Sequence, residues 1–273
     1  MKNLSKYADH PVFGALVKIV MNYTISRQAT QISHHFSEYL HAIVAFKDAD
    51  KIESFKIRHN VYCDELKFED IKPSGEEVDD FDFHSTHCLI KHIPSGVYAG
   101  TVRIVTSSNA EQLLPIEKYC ISSIDEKSVH PSDFPRTEIC EISRLAIPVQ
   151  FRKRATDKFI GSATGVINEH VYSERELRCF PFIAVGLYLS AASVCFHQGI
   201  QHCFVMMEPR LARSLRFVGI KFDQVGPIVD YHGKRAPYYI SRQLLMAGLT
   251  PGFQKILQNI DKKIDIQFRQ KTK

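Results

Sequence analysis

The longest apolar run of the chain, Phe180 to Phe196, most limits what it can fold into. The run contains Ser190 and Ser193 and falls short of the roughly 20 apolar residues that a membrane span needs. It therefore reads as a helix buried in a core and stopped by Gly199. Apolar residues at helical spacing predict two helices before it, one over 32–47 (Ile32, Phe36, Tyr39, Leu40, Ile43, Val44) and one over 52–66 (Ile52, Phe55, Ile57, Val61, Tyr62, Leu66). The runs 87–92 and 97–106, split by Pro94-Ser95-Gly96, predict a β-hairpin. Residues 107–137 read as loop with one short helix near 114–120. Residues 138–147 alternate as a strand, with Ile139, Glu141, Ser143 and Leu145 on one face and Cys140, Ile142, Arg144 and Ala146 on the other. A basic turn at 151–158 leads into a further helix. Beyond the buried helix come a strand at 203–207, a helix at 209–218 closed by Gly219, and strands at 221–225 and 238–241. Last is an amphipathic helix at 250–268, with Thr250 as N-cap and Pro251 in its first position. This order predicts an α/β sandwich around one mixed sheet.

At 273 residues, 44% hydrophobic and 24% charged, the chain can bury a sizeable core and is not disordered. A net charge of +5 suits an acidic partner or a phosphate-bearing ligand and is too small to imply nucleic acid. The basic side chains of residues 152–154 and of the tail (Lys262, Lys263, Arg269, Lys271, Lys273) lack aromatic interleaving beyond Phe268, which argues against stacking on a nucleic acid. None of the 7 cysteines shows Cys-x-x-Cys spacing, and most sit in apolar runs. That argues against a zinc ribbon and for reduced thiols in a cytoplasmic protein. His84, His87 and His92 are near one another but have no further ligand spacing, so no metal is expected. The apolar stretch 12–21, interrupted by Lys18, is not followed by a small-residue cleavage site. It reads as an amphipathic helix that packs on the domain or touches a membrane surface.

Three polar clusters carry the chemistry. The segment Glu77-Val78-Asp79-Asp80-Phe81-Asp82 concentrates like charges, which suits either a solvated loop or a clamp for arginines or an amine. Arg103 lies inside the apolar strand Gly100–Val105, either on an exposed face or as partner to that loop. Glu141-Ile142-Ser143-Arg144 places two charges in an apolar strand, where they are costly unless paired.

The series Arg58…Phe68…Glu77-x-Asp79-x-x-Asp82…Arg103…Glu141-x-Ser143-Arg144 resembles the acyl-homoserine-lactone synthases. The stretch 207–240 resembles the acyltransferases associated with the PEP-CTERM/exosortase system, which are similar to long-chain N-acyl amino acid synthases. Together the two resemblances cover most of residues 50–245. They imply a GCN5-related N-acetyltransferase (GNAT) fold, with a mixed central sheet flanked by helices. The implied layout is a helical extension over 1–48, the acyltransferase domain over 49–248, and a C-terminal amphipathic helix with basic tail over 249–273.

The implied reaction joins an acyl group, carried as a phosphopantetheine thioester on acyl carrier protein or as acyl-CoA, to the amine of a small acceptor, with no resident cofactor. Glu141 is the expected base, Ser143 a hydrogen-bonding partner of the acceptor or of water, and Arg144 and Arg103 the partners of Asp79 and Asp82. Arg58, Phe68 and Glu77 belong to the same cluster. A strand amide near Ala146 or Ile147 is expected to stabilise the oxyanion. Phe68, Phe180, Phe182 and the buried helix are candidates for an acyl tunnel, with core packing as the alternative for each. Where the fold carries a glycine-containing pyrophosphate loop, this chain has Gln150-Phe151-Arg152-Lys153-Arg154-Ala155. Lys153 replaces the central glycine, which disfavours acetyl-CoA. Arg152, Lys153 and Arg154 suit the phosphopantetheine phosphate or the acidic surface of acyl carrier protein. The acceptor-side segment reads His232-Gly233-Lys234-Arg235-Ala236-Pro237. A protein that only binds acyl carrier protein is the alternative reading. Covalent catalysis by Cys88 or Cys140 is disfavoured, because His87 and Cys88, as strand neighbours, face opposite ways.

Overall fold

A computed structural model describes residues 36–152 and 182–271. Eight strands form one sheet in the order β1-β2-β3-β4-β5-β8-β6, with β7 paired to β8. They are β1 (Leu40–Val44), β2 (Ser85–His92), β3 (Tyr98–Thr106), β4 (Ile139–Ala146), β5 (His202–Met207), β6 (Asp223–Gln224), β7 (Val229–Asp230) and β8 (Lys234–Ser241). All pairings are antiparallel except β4 with β5. The helices are α1 (Asp48–Arg58), α2 (Pro115–Tyr119), α3 (Ile183–His197), α4 (Pro209–Arg216), α5 (Arg242–Gly248) and α6 (Pro251–Lys271). This is the mixed α/β sheet flanked by helices that the sequence predicts.

Residues 40–44, expected to be helical, instead form edge strand β1. Leu40, Ala42 and Val44 are buried and His41 and Ile43 less so, a period of two that also fits i, i+4 spacing in so short a stretch. The strand pairs with β2 and contacts α6, so it belongs to the sheet and not to an N-terminal extension. The hairpin β2–β3 turns through Gly96 at φ 70°, a conformation glycine adopts without steric cost. Helix α3 is buried along nearly its whole length, as its uniform apolarity requires, between the sheet and α6. Thr250 precedes α6, but its buried hydroxyl makes no hydrogen bond, so the expected side-chain cap is absent.

The two faces of the sheet differ in chemistry. One carries the main core, where Val102, Ile104, Cys140 and Ile142 meet α3 and α6. The other holds two smaller clusters. Phe81, Val105, Leu114, Ile116, Ile139 and Phe204 form one, and Ile57, Val61, Tyr62, Leu89 and Ala146 the other.

Two irregularities in β4 shape the site. First, the β3–β4 register runs Arg103↔Ser143 and then Thr101↔Ala146, so β4 holds one extra residue in this interval. That is a β-bulge, and Arg144 lies in it at φ 51°. Second, the parallel β4–β5 ladder ends at Glu141↔Phe204, although both strands run on. Beyond Glu141 they separate and leave a wedge at their carboxyl ends.

Candidate active site

The bulge overturns the strict alternation expected of residues 138–147. The extra residue puts Arg144 on the face of Glu141 and Ser143. Leu145 turns to the α3 side, and Ala146 returns to the side of Tyr62. A left-handed conformation costs a non-glycine residue roughly 1–2 kcal/mol, and the contacts of Arg144 offset that cost.

Those contacts belong to a network of three arginines and four carboxylates. Arg58, wholly buried as the last residue of α1, donates from Nε to Glu77 at 2.5 Å. It holds Asp82 with both terminal nitrogens, at 2.7 and 3.0 Å. Arg103 donates to Asp79 at 2.5 Å, to Asp82 at 3.0 Å and to the Ser143 hydroxyl at 3.1 Å. Arg144 donates to Glu77 and Asp79 at 3.2 Å and to Glu69 at 3.1 Å. Every arginine lies over a ring: Arg58 over Phe55, Arg103 over Phe81 and Arg144 over Tyr62. The acidic loop is ordered by its own backbone as well. Asp79 caps the short 3-10 helix 80–84 and accepts from the Phe81 amide, while Asp82 accepts from the Asp79 amide. Glu77, Asp79 and Asp82 turn inward, whereas Val78 and Asp80 face solvent.

Burial opposes the charge on Asp82, but Arg58, Arg103 and the Asp79 amide outweigh it and hold the carboxyl well below its ordinary range. Burial likewise opposes the charges of Arg58 and Arg144, yet their carboxylate partners raise both above the usual value. His87 touches this network, with Nε2 3.5 Å from Asp82. Burial, then Arg58, pushes its imidazole down to about 3, so it stays neutral.

Glu141 stands apart from the ion pairs. It is buried among Leu114, Ile116, Ile139 and Phe204, and it accepts from the Ile116 amide at 2.6 Å in the first turn of α2. Burial raises its carboxyl to about 8, against the opposing pull of the Ile116 amide, Arg103 and Arg144. A group poised there can exchange a proton near neutral pH.

The structure therefore brings Arg58, Glu77, Asp79, Asp82, Arg103, Ser143 and Arg144 into one network with Glu141 beside it. Phe68 sits next to that network and packs toward His232, with ring centroids 6.0 Å apart. Ala146 and Ile147 are both buried. Arg152 is buried and paired with Glu65, so the protein already meets its charge. Lys153, Arg154 and Phe180 lie outside the described residues. Phe182 packs on Phe253, away from the network.

The buried helix does line a cavity of about 40 Å³, on the α3 side of the sheet. Tyr188, Ala192 and Cys195 of α3, Ile142 of β4, Cys203 of β5 and Phe222 border it. The charge network and this apolar cavity are thus on opposite faces; Ile200, Gln201 and His202 also line the cavity, toward the amino end of β5, while the wedge opens at the carboxyl ends of β4 and β5. Burial raises the Cys88 thiol, and contact with Cys195, Sγ to Sγ 3.6 Å, raises that of Cys140, so neither is an activated nucleophile. Among the described residues no cluster could hold a metal ion, and no helix is long and apolar enough to cross a membrane.

Two contributors escape the sequence: Glu69, which completes the coordination of Arg144, and Tyr62, which supports Arg144 and donates to the Leu145 carbonyl at 2.7 Å. The only sequence signal for Glu69 is its position beside Phe68, and Tyr62 reads as one more apolar position of a helix.

Comparison with known proteins agrees with this fold. The sequence profile of the acetyltransferase (GNAT) domain matches residues 57–162. The acyl-homoserine-lactone synthase LasI superposes on 77% of this chain and 96% of its own, with 14% identity and a TM-score of 0.55. The CoA-dependent acyl-homoserine lactone synthase BjaI, solved with SAM and isopentyl-CoA, covers 80% of this chain and 89% of its own, with 18% identity and a TM-score of 0.52. FeeM, an N-acyl amino acid synthase from uncultured soil microbes, covers 77% and 94%, with 13% identity and a TM-score of 0.50. No curated protein matches the chain by sequence. Residues 57–162 thus match the acetyltransferase (GNAT) domain, and the sheet around them has the fold seen in LasI.

Proposed function

We propose that the protein is an N-acyltransferase that moves a fatty acyl group from acyl carrier protein to the amine of an amino acid or related small molecule. The observation that carries this reading is the pairing of a proton-exchanging carboxyl, Glu141, with the ordered network of Arg58, Arg103 and Arg144 at the point where β4 and β5 part. The amine attacks the thioester carbonyl, the C–N bond forms, and the C–S bond breaks. Glu141 takes the proton released by the attacking nitrogen, and the leaving thiolate is protonated in turn. Ser143, held by Arg103, orients the acceptor, and a strand amide at Ala146 or Ile147 steadies the oxyanion. The acyl chain enters through the wedge and runs along the α3 side of the sheet toward the apolar cavity.

Several features favour acyl carrier protein over free CoA. Lys153 stands in place of the pyrophosphate-loop glycine, and a cation at that position suits an acidic protein surface. Helix α4, which leaves the carboxyl end of β5, exposes Arg213 and Arg216 at the same end of the sheet. The six cysteines among the described residues are free thiols, in keeping with a cytoplasmic enzyme. The resemblance of 207–240 to the PEP-CTERM/exosortase-associated acyltransferases supports a long-chain donor.

The test is a product assay. Full-length protein is mixed with acyl carrier proteins bearing chains of graded length and with a pool of amino acids, and acyl-amides are sought by mass. A product that requires both protein and donor, and that is lost in Glu141→Ala and Arg144→Ala, supports the reading. Tight carrier binding with no product from any donor or acceptor overturns it in favour of a binding-only protein.

A further inference from the structure

Arg235 borders the site without joining the network. It makes no ion pair or hydrogen bond among the described residues, and its Nε is buried without a partner. Buried polar groups are nearly always satisfied, so an orphaned guanidinium nitrogen beside a reaction centre calls for an anion.

Its place in the fold says which anion. The β5–β8 ladder runs from His202↔Ser241 to Met207↔Ala236, and Arg235 is the next residue of β8. It thus lies at the carboxyl end of β5, where β4 has already separated. Alternation along β8 puts Ala236, Tyr238 and Ile240 in the α3-side core and Tyr239 in the cluster around Phe204, so Arg235 shares the Glu141 face. Its charge acts on Cys120 and Tyr231 on that face, on Tyr62 beside Arg144, and on Tyr188 of α3 across the sheet. Its register therefore puts Arg235 at the end of the sheet where the wedge opens.

The hairpin β7–β8 holds Arg235 there. Val229 pairs with Arg235, and the turn passes through His232 at φ 50° and Gly233 at φ 93°. His232 then leans on Phe68, which ties the hairpin tip to the segment that follows α1.

We propose that Arg235 binds the carboxylate of the acceptor while the acceptor's amine faces Glu141, so that the enzyme selects amino acids over simple amines. This rests on the acyl-transfer reading above, which it deepens by naming the acceptor class. The guanidinium fork matches a carboxylate in two parallel hydrogen bonds, whereas an amine without the carboxylate leaves it unpaired.

The test uses two probes for the full-length protein, N-dodecanoylglycine and N-ethyldodecanamide, which differ by the carboxylate. Binding is measured by calorimetry, and acyl transfer to glycine and to ethylamine is assayed in parallel. Wild type should prefer the carboxylate probe by tenfold or more. Arg235→Gln should bring that ratio close to one, and Arg235→Lys, which retains the charge without the fork, should keep part of it. An unchanged ratio in Arg235→Gln, or no preference in wild type, overturns the assignment. Transfer without carboxylate preference sinks only the role of Arg235. Carboxylate-selective binding without transfer upholds that role and sinks the reaction, and failure of both binding and transfer sinks both.

Discussion

Ser143 and Arg144 are consecutive residues of one strand, yet both serve the same side of the sheet: Ser143 accepts from Arg103 while Arg144 holds Glu77, Asp79 and Glu69. A regular strand would send them to opposite faces. The bulge at Arg144 cancels one step of the alternation and delivers a third arginine to a loop that would otherwise carry excess negative charge.

The bulge and the charge can be separated by mutation. Arg144→Gly keeps a residue that accepts φ 51°, while Arg144→Val forces a branched side chain into that conformation. Both leave Glu69, Glu77 and Asp79 short of a cation, and loss of one partner from a buried pair costs about 3–5 kcal/mol. Urea unfolding should therefore place both below wild type and Arg144→Val lowest, by a further ~1–2 kcal/mol. Equal stabilities of the two variants would mean that the strand rearranges and the bulge is not imposed.

Asp82 sets the acid limit of the fold. Its folded-state pKa is depressed by Arg58, Arg103 and the Asp79 amide, which outweigh burial, so the stability it contributes is present above its unfolded value of 3.8 and is lost as the pH falls below it. Between pH 5 and pH 2 the urea midpoint of wild type should fall more steeply than that of Asp82→Asn. Parallel slopes would show that other carboxyls govern acid unfolding.

Glu141 behaves in the opposite sense. Burial raises its carboxyl from 4.5 to about 8, so its stabilising protonated form is complete below pH 4.5 and is lost as the pH rises through 8. Glu141→Gln should gain stability relative to wild type as the pH is raised from 5 to 9. In acyl transfer the rate should climb with pH toward an apparent pKa near 8 and drop at least 100-fold in the glutamine variant, a loss typical of removing a general base. A glutamine variant that retains wild-type rate would remove Glu141 from the reaction.

Ala192 lines the apolar cavity on the side away from the charge network. Ala192→Leu adds volume there at an overpacking cost of about 1–3 kcal/mol. Competition between short and long acyl carriers should shift at least fivefold toward the short chain, with the acceptor KM unchanged. A shift in acceptor KM alone would mean that the cavity does not receive the acyl chain.

Much of the charge network was legible because its members come in a fixed order along the chain. Arg58, the acidic loop with Glu77, Asp79 and Asp82, Arg103 and Glu141 all appear where local chemistry makes them conspicuous: charges inside apolar strands, or acids crowded together. Residues without such contrast stayed hidden. Tyr62 looks like one more apolar position of a helix and Glu69 like a surface acid. Their roles depend on neighbours from distant segments. The same limit explains β1, whose five residues fit helical or strand spacing until β2 supplies hydrogen-bond partners.

The sequence alone determined the layered α/β order, the buried helix after Pro181, the β2–β3 hairpin and the identity of most charged residues of the site, since each follows from periodicity, turn chemistry or the cost of an isolated charge. Tertiary structure decided which face Arg144 serves, where β4 and β5 part, and that the Arg235 side chain has no partner among the described residues. Those features arise from strand pairing and register, where one inserted residue or one ended ladder redirects side chains that local pattern had assigned elsewhere.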